Sequence, residues 1–190
     1  KLAQTYCIKG TILDDFGRIR EAVLCLKEAE AVVPEKNKKL RHSIYSILGY
    51  INGKMGESRL EVEYFKRALA VSYQINYKTA IAHDLLSVSN AYSSLNKDDS
   101  AYYYMNKLLP IYKELPEVAH AFFYTNYGIT LAGRNDSRAE KYLLKGISKI
   151  EDPYAYRVLG KIYMRKGDKA KALDMWAKAL KTTDLSLKAG

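Results

Sequence analysis

The sequence predicts an all-α protein, an α-solenoid of about five helix pairs, and three observations predict it. Small residues and turn residues recur as pairs seven positions apart. Each pair is followed by an apolar stripe at helical spacings of four and three. The four prolines (Pro34, Pro110, Pro116, Pro153) leave long helical stretches between them, and few segments alternate as a strand would.

The glycines carry the first observation. Gly10 and Gly17, Gly49 and Gly56, and Gly160 and Gly167 are such pairs, and Ser89 with Asn96 and Gly128 with Asn135 continue them. Seven of the eleven glycines fall on these positions, so they mark a structural period. The first member must be small so that a second helix can approach. The second sits in a turn, where Gly or Asn tolerates a left-handed backbone.

The stripe begins twelve residues after the small position. In the first unit, about 3–36, it reads Ala22, Leu26, Ala29; in the second, about 42–72, it reads Glu61, Phe65, Ala68. Glu61 stands where a small residue is expected, a clear departure. The third unit, about 82–110, carries Ala101, Met105 and Leu108. The fourth, about 121–148, carries Ala139, Leu143 and Gly146 one residue early, after a shortened turn. The fifth, about 153–182, carries Ala172, Trp176 and Ala179, and 183–190 reads as the start of a truncated further helix.

These residues resemble the tetratricopeptide repeat (TPR). The fifth unit matches its pattern through Tyr156, Leu159, Gly160, Tyr163, Gly167, Ala172, Trp176 and Ala179. The first matches through Tyr6, Gly10, Gly17, Ala22, Leu26, Ala29 and Pro34, with Lys9 in place of the usual Leu. The small positions advance by 39, 40, 39 and 32 residues, so three units are longer than the family's usual repeat. The added segments, 35–41, 72–80 and 110–119, contain no Gly and are read as helix extensions with short connectors. Such long-helix variants resemble repeat domains of bacterial regulatory and signalling proteins.

The resemblance implies a single right-handed superhelical array whose first helices line a concave face, and a non-enzymatic scaffold that binds protein or peptide there. On the family's concave positions stand Tyr50, Asn90, Asn126, Tyr154, Arg157, Lys161 and Arg165. Asn90 and Asn126 both donate and accept, which suits a peptide backbone; the alternative is that they are solvated or bonded within the stack. The family's clamp for a peptide C-terminus would fall on Leu86, Asn90, Asn126, Tyr154 and Val158. Its three cationic places are not cationic here, so that activity is not expected.

Arg157, Lys161 and Arg165 follow one another at i, i+4 and share a helix face, opposite in charge to Asp14 and Asp15. They suit an acidic group on a partner, or form a solvated stripe. The chain carries 31 Lys and Arg against 21 Asp and Glu, for a net charge of +10, and +6 of it arises from Pro153 onward, where nine Lys and Arg face three Asp. Tyr154 beside that stripe is a minimal single-stranded nucleic-acid feature, but no nucleic-acid motif accompanies it.

Other classes find little support. With 48% apolar and 27% charged residues, the 190-residue chain is globular in composition. Cys7 and Cys25 give no disulfide framework or zinc motif, and His42, His83 and His120 each lack a second ligand at i+3 or i+4. No nucleophile elbow or phosphate loop occurs, and Asp14 and Asp15 are adjacent and cannot converge. No metal, cofactor or catalysis is expected. No apolar run reaches the roughly 20 residues of a membrane span.

The chain opens without Met and is read as a segment of a longer protein. That makes a sensory or homo-oligomerising module of a bacterial regulator the alternative function. Its richness in Tyr, Asn, Ser and Lys resembles extracytoplasmic bacterial repeat proteins, including parts of membrane-anchored ones. The 17 tyrosines call for packing places with a polar outlet, and in the run Tyr102, Tyr103, Tyr104 at least one ring is expected in the core and another exposed.

Overall fold

The computed structural model describes the backbone of residues 1–188 and the side chains of residues 1–183. Among the described residues there are ten α-helices and no strand. They are α1 (Leu2–Asp15), α2 (Ile19–Val32), α3 (Lys38–Lys54), α4 (Ser58–Gln74), α5 (Lys78–Ser94), α6 (Asp98–Leu108), α7 (Glu117–Gly133), α8 (Ala139–Ile147), α9 (Pro153–Arg165) and α10 (Lys169–Lys188), with a 3-10 turn at Tyr112–Glu114. Tertiary contacts divide the chain into two units, Lys1–Glu114 and Leu115–Gly190.

In the first unit α1 packs on α2, α3 on α4 and α5 on α6, while α2 on α3 and α4 on α5 join successive pairs. The small positions do the work expected of them. A Cβ on Gly10 would lie 2.7 Å from Leu26 Cγ, and one on Gly49 would lie 2.7 Å from the Phe65 ring. Ser89, the third of the set, donates its hydroxyl to the Ala101 carbonyl at 2.9 Å. The stripe of Ala22, Leu26, Ala29, Ala68, Ala101, Met105 and Leu108 is fully buried. Each large apolar side chain so placed contributes about 1.5–3 kcal/mol.

Polar ties reinforce the joints between pairs. Glu30 on α2 accepts from Arg67 on α4 at 2.9 Å, and the Arg67 guanidinium lies 5.4 Å from the Tyr64 ring centroid. Deeper in, Asp84 on α5 is 1% exposed. Its Oδ2 accepts from Ser72 Oγ on α4 at 2.7 Å and lies 2.8 Å from His42 Nε2 on α3. Three helices from two pairs thus meet at one carboxylate.

All five predicted turn positions have positive φ: Gly17 at 72°, Gly56 at 77°, Asn96 at 54°, Asn135 at 55° and Gly167 at 80°. A sixth, Asn76 at 50°, makes the turn between α4 and α5. The seven-residue period does not reach it, because it joins two pairs instead of the two helices of one.

Two of the three added segments lengthen helices as expected. The 17-residue α4 and α5 are separated by three residues, and the 17-residue α3 starts at Lys38, where the Asn37 side chain accepts from Leu40 N. The third segment does so only in its last three residues, where the 17-residue α7 begins at Glu117. Helix α6 ends at Leu108 after 11 residues, and 109–116 is a connector with one 3-10 turn. Pro110 and Pro116 supply no amide donor, and each disfavours helix in the residue before it.

The tyrosine run also differs from expectation. Helix α6 buries Ala101, Met105 and Leu108. Tyr104 is half-buried, stacked on Tyr92 at 5.5 Å, and Tyr103 is 53% exposed. None of the three is fully in the core, because the seam at spacings of four and three leaves them on its flanks.

In the second unit α7 packs on α8 and α9 on α10, and α9 also touches α7 and α8. A Cβ on Gly128 would meet Leu143 Cγ at 2.7 Å and its backbone N at 2.8 Å. The one-residue advance of this stripe therefore seats α8 close against α7. Tyr127 is fully buried, stacked on Phe123 at 5.8 Å and edge-on to Tyr142 at 4.6 Å. Helix α9 opens with Pro153 in its first turn, and the Asp152 carboxylate accepts from Tyr154 N at 2.7 Å and Ala155 N at 2.9 Å. Trp176 lies over Gly160 and donates its indole N–H to the Arg157 carbonyl at 3.3 Å. Helix α10 runs unbroken through Lys188, across the segment read from the sequence as the start of a further helix; residues 189–190 lie outside the described residues.

Candidate functional site

The exposed faces of α3 and α5 meet over a groove in the first unit. It has a volume of about 470 Å³ and is lined by Ser46, Ile47 and Tyr50 of α3, Glu61 and Phe65 of α4, and His83, Ser87 and Asn90 of α5. The size lies within the roughly 300–1,000 Å³ of ordinary ligand pockets. Two of the predicted site residues, Tyr50 and Asn90, are therefore brought together on its walls. Tyr50 is 57% exposed, and the Asn90 side chain makes no hydrogen bond among the described residues.

Groove geometry follows from the helix spacing. Tyr50 and Ile47, and Ser46 and Tyr50, are three and four residues apart on α3; His83, Ser87 and Asn90 have the same relation on α5. The same spacing turns Leu48 and Ile51 inward. Each helix thus anchors one face in the core and presents the other to the groove.

Glu61 forms the floor with Phe65. It is half-buried, and burial pushes its carboxyl above the usual carboxylate range. In the sequence Glu61 stands out only as a departure from the repeat, not as a site residue. The signal was present: a charged residue at a position that packing wants small.

One turn beyond Tyr50, at the C-terminal end of α3, Lys54 pairs with Asp14 of α1 at 2.6 Å and lies 5.3 Å from the Tyr50 ring centroid. Asp14 is therefore engaged within the stack. A second recess, about 490 Å³, is lined by Lys39, His42, Ser43, Ile75, Asn76 and Tyr77. It backs onto the His42–Asp84 contact.

In the second unit the predicted residues divide between α7 and α9. Asn126 is half-buried, and its Nδ2 donates to the Phe122 carbonyl at 2.9 Å, a bond within its own helix. Phe122 is 49% exposed beside a recess of about 200 Å³ formed with Thr125 and the segment before α9. On α9, Arg157 lies 5.2 Å from the Tyr154 ring centroid, Tyr154 is half exposed, and Lys161 is exposed. Arg165 donates to Asn135 Oδ1 in the turn between α7 and α8. The basic stripe is thus uneven: Arg157 rests on a ring, Arg165 is tied to a turn, and Lys161 stands clear.

Glu140, Tyr163 and Cys7 are engaged in bonding or packing within their own units. The Lys166 ammonium and Tyr163 hydroxyl both bond Glu140, which lowers the Glu140 carboxyl, and burial followed by that carboxylate pushes Tyr163 up to about 12. Cys7 is a buried free thiol raised by desolvation. Among the described residues no three His, Cys, Asp or Glu are grouped as a metal site would need, and no helix is long and apolar enough to cross a membrane.

Helix pairs with a small residue at each crossing and a left-handed turn after each first helix define the tetratricopeptide-repeat fold, and the chain has that fold. Among solved structures it is similar to the apo form of RapI, with a TM-score of 0.80 and 18% identity, covering 98% of this chain and 72% of that one. It is similar to BtubC from P. vanneervenii, with a TM-score of 0.74 and 19% identity over 96% of this chain and 80% of that one. YrrB, described as a TPR protein with an unusual peptide-binding site, aligns with a TM-score of 0.66 and 14% identity over 93% of this chain and 84% of that one. At these identities the likeness is one of fold. No family model and no curated protein matches the sequence.

Proposed function

We propose that the chain is a non-enzymatic scaffold that binds a protein or peptide on the exposed faces of its first helices, α3 and α5 in one unit and α7 and α9 in the other. The observation that carries this reading is the groove in which Tyr50 and Asn90, from two different helix pairs, face one recess. An aromatic wall gives apolar contact area, and an uncommitted amide pairs with a peptide N–H or C=O whatever the sequence. YrrB supports the reading by showing that a protein of this fold has a peptide-binding site. On the second unit Asn126 and Lys161 offer an amide and a cation for a partner's backbone and acidic group.

The test is selection of a displayed random-peptide library on the purified chain, followed by titration of a synthetic consensus peptide. Tyr50→Ala with Asn90→Ala, or Asn126→Ala with Lys161→Ala, should weaken the consensus by about tenfold or more, equivalent to about 1.4 kcal/mol. Unchanged affinity in both double variants, or no enrichment at all, removes the reading.

A further inference from the structure

We infer that the groove of the first unit is a receptor for the basic side chain, Lys or Arg, of an extended peptide, with Glu61 as its counter-ion. This rests on the peptide-binding reading above and specifies its chemistry.

Glu61 is the starting point. The repeat places Ala22, Ala101, Ala139 and Ala172 at the corresponding position of the other units, where the side chain meets the partner helix. A carboxylate there costs desolvation and fills no packing need. The structure accommodates it by an absence: α3 carries Gly53 opposite, and a Cβ at that residue would lie 2.8 Å from both Glu61 Cδ and Oε1. The carboxyl group thus lies against bare backbone at the groove, and it forms no hydrogen bond or ion pair among the described residues.

What surrounds it selects the ligand's charge. Tyr50 and Phe65 line the same groove and offer apolar contact to the aliphatic stem of a Lys or Arg, whose charged end then pairs with the carboxylate. The chain's own Lys54, whose ammonium lies 5.3 Å from the Tyr50 ring centroid, pairs with Asp14 at 2.6 Å and not with Glu61. Asn90 and Ser87 on the far wall supply the polar contacts that a backbone beside that side chain would need. An acidic group entering the groove would meet like charge at its floor. A neutral side chain would cover the carboxylate without pairing it, so its desolvation would go uncompensated.

The experiment uses the whole chain and an immobilised set of acetylated, amidated decapeptides built on the consensus of the library selection, with each position changed in turn to Lys, Arg, norleucine and Glu. The blocked termini ensure that only a side chain can supply the charge. The expected result is one position at which Lys or Arg binds about tenfold tighter than norleucine. Glu61→Gln should abolish that preference while keeping the Tyr50 and Asn90 dependence. Glu61→Ala restores the small residue typical of the repeat, so it folds on packing grounds and should give the same loss. A consensus that binds the groove without preferring a cation, or a preference that survives in both variants, overturns this inference and leaves the peptide-binding reading standing. No binding by any peptide overturns both.

Discussion

Gly53 and Glu61 are complementary across the joint between α3 and α4: the carboxyl of one occupies the space that a side chain on the other would take, with Cδ only 2.8 Å from the Cβ position. Gly49, one turn earlier, has a different neighbour, the Phe65 ring at 2.7 Å. The two glycines should therefore respond oppositely to Ala. At Gly53 the neighbour is the free end of a flexible chain, which can swing away while the helix gains about 0.5–1 kcal/mol of propensity. At Gly49 the neighbour is a rigid ring in the core, and over-packing should cost about 1–3 kcal/mol. Urea midpoints of Gly53→Ala and Gly49→Ala on either side of the native value check this. A Gly53→Ala variant less stable than Gly49→Ala contradicts it.

Glu61 also predicts a pH dependence. Burial raises its pKa in the folded state above the unfolded value. Its contribution to stability is thus fully present below the unfolded pKa and is lost as pH rises through the raised folded one. Tyr50 and His83 are the other titratable groups lining the groove, and both are retained in Glu61→Gln. Glu61→Gln should accordingly melt above the native protein at pH 7, and the gap should close on acidification through the carboxylate range. An equal gap at both ends of that range assigns the effect to packing.

The sequence made the helix pairs legible because their signals are local and repeated. Gly17, Gly56, Asn96, Asn135 and Gly167 announce left-handed turns by residue type alone, and Leu26, Phe65, Met105 and Leu143 announce their crossing partners by spacing. Asn76 escaped because one asparagine between two helix patterns lacks a period. The segment 110–119 reads as a helix extension because its helix formers outnumber Pro110 and Pro116, yet the two prolines interrupt the helix over 109–116. Of the site, Tyr50 and Asn90 follow from register, but their shared groove depends on how α3, α4 and α5 are inclined. Glu61 was visible as an anomaly whose meaning depends on Gly53, a residue outside the repeat's small positions.

Asp84 should be the most sensitive polar residue of the first unit. With Ser72 Oγ at 2.7 Å and His42 Nε2 at 2.8 Å on one oxygen, and the other oxygen buried without a partner, it has no contact to spare. His42→Ala removes one of two partners from a group that cannot reach water. The expected loss is about 1–3 kcal/mol, seen as a lower urea midpoint at unchanged slope. A neutral outcome would mean that water enters through the adjoining recess lined by Lys39 and Tyr77.

Asparagine in the left-handed region is tolerated at a cost that glycine avoids. Asn96, at φ 54°, allows a clean comparison. Asn96→Ala should destabilise by about 1 kcal/mol because the left-handed backbone crowds its Cβ, whereas Asn96→Gly should be neutral or slightly stabilising. Asn135, at φ 55°, should behave differently, since its side chain also accepts from Arg165. Thermal melts of the four variants at Asn96 and Asn135 separate backbone strain from the side-chain bond: glycine should rescue at Asn96 more fully than at Asn135.

Trp176 is the chain's one tryptophan, and its indole lies against Gly160, so its emission reports on packing between α9 and α10. A methyl group at Gly160 would overlap the indole ring edge, where Nε1 donates to the Arg157 carbonyl. Two penalties then act together: the ring is displaced from a packed site, and its N–H loses a partner. Gly160→Ala should lower stability by about 1–3 kcal/mol and shift the emission of the folded state to the red as the indole moves toward water. Trp176→Phe keeps most of the packing without the N–H, so it should cost less, and Gly160→Ala on that background should cost less than it does beside Trp176. Purely additive losses in this double-mutant cycle would show that the two residues are not coupled and that the small position acts only through the backbone.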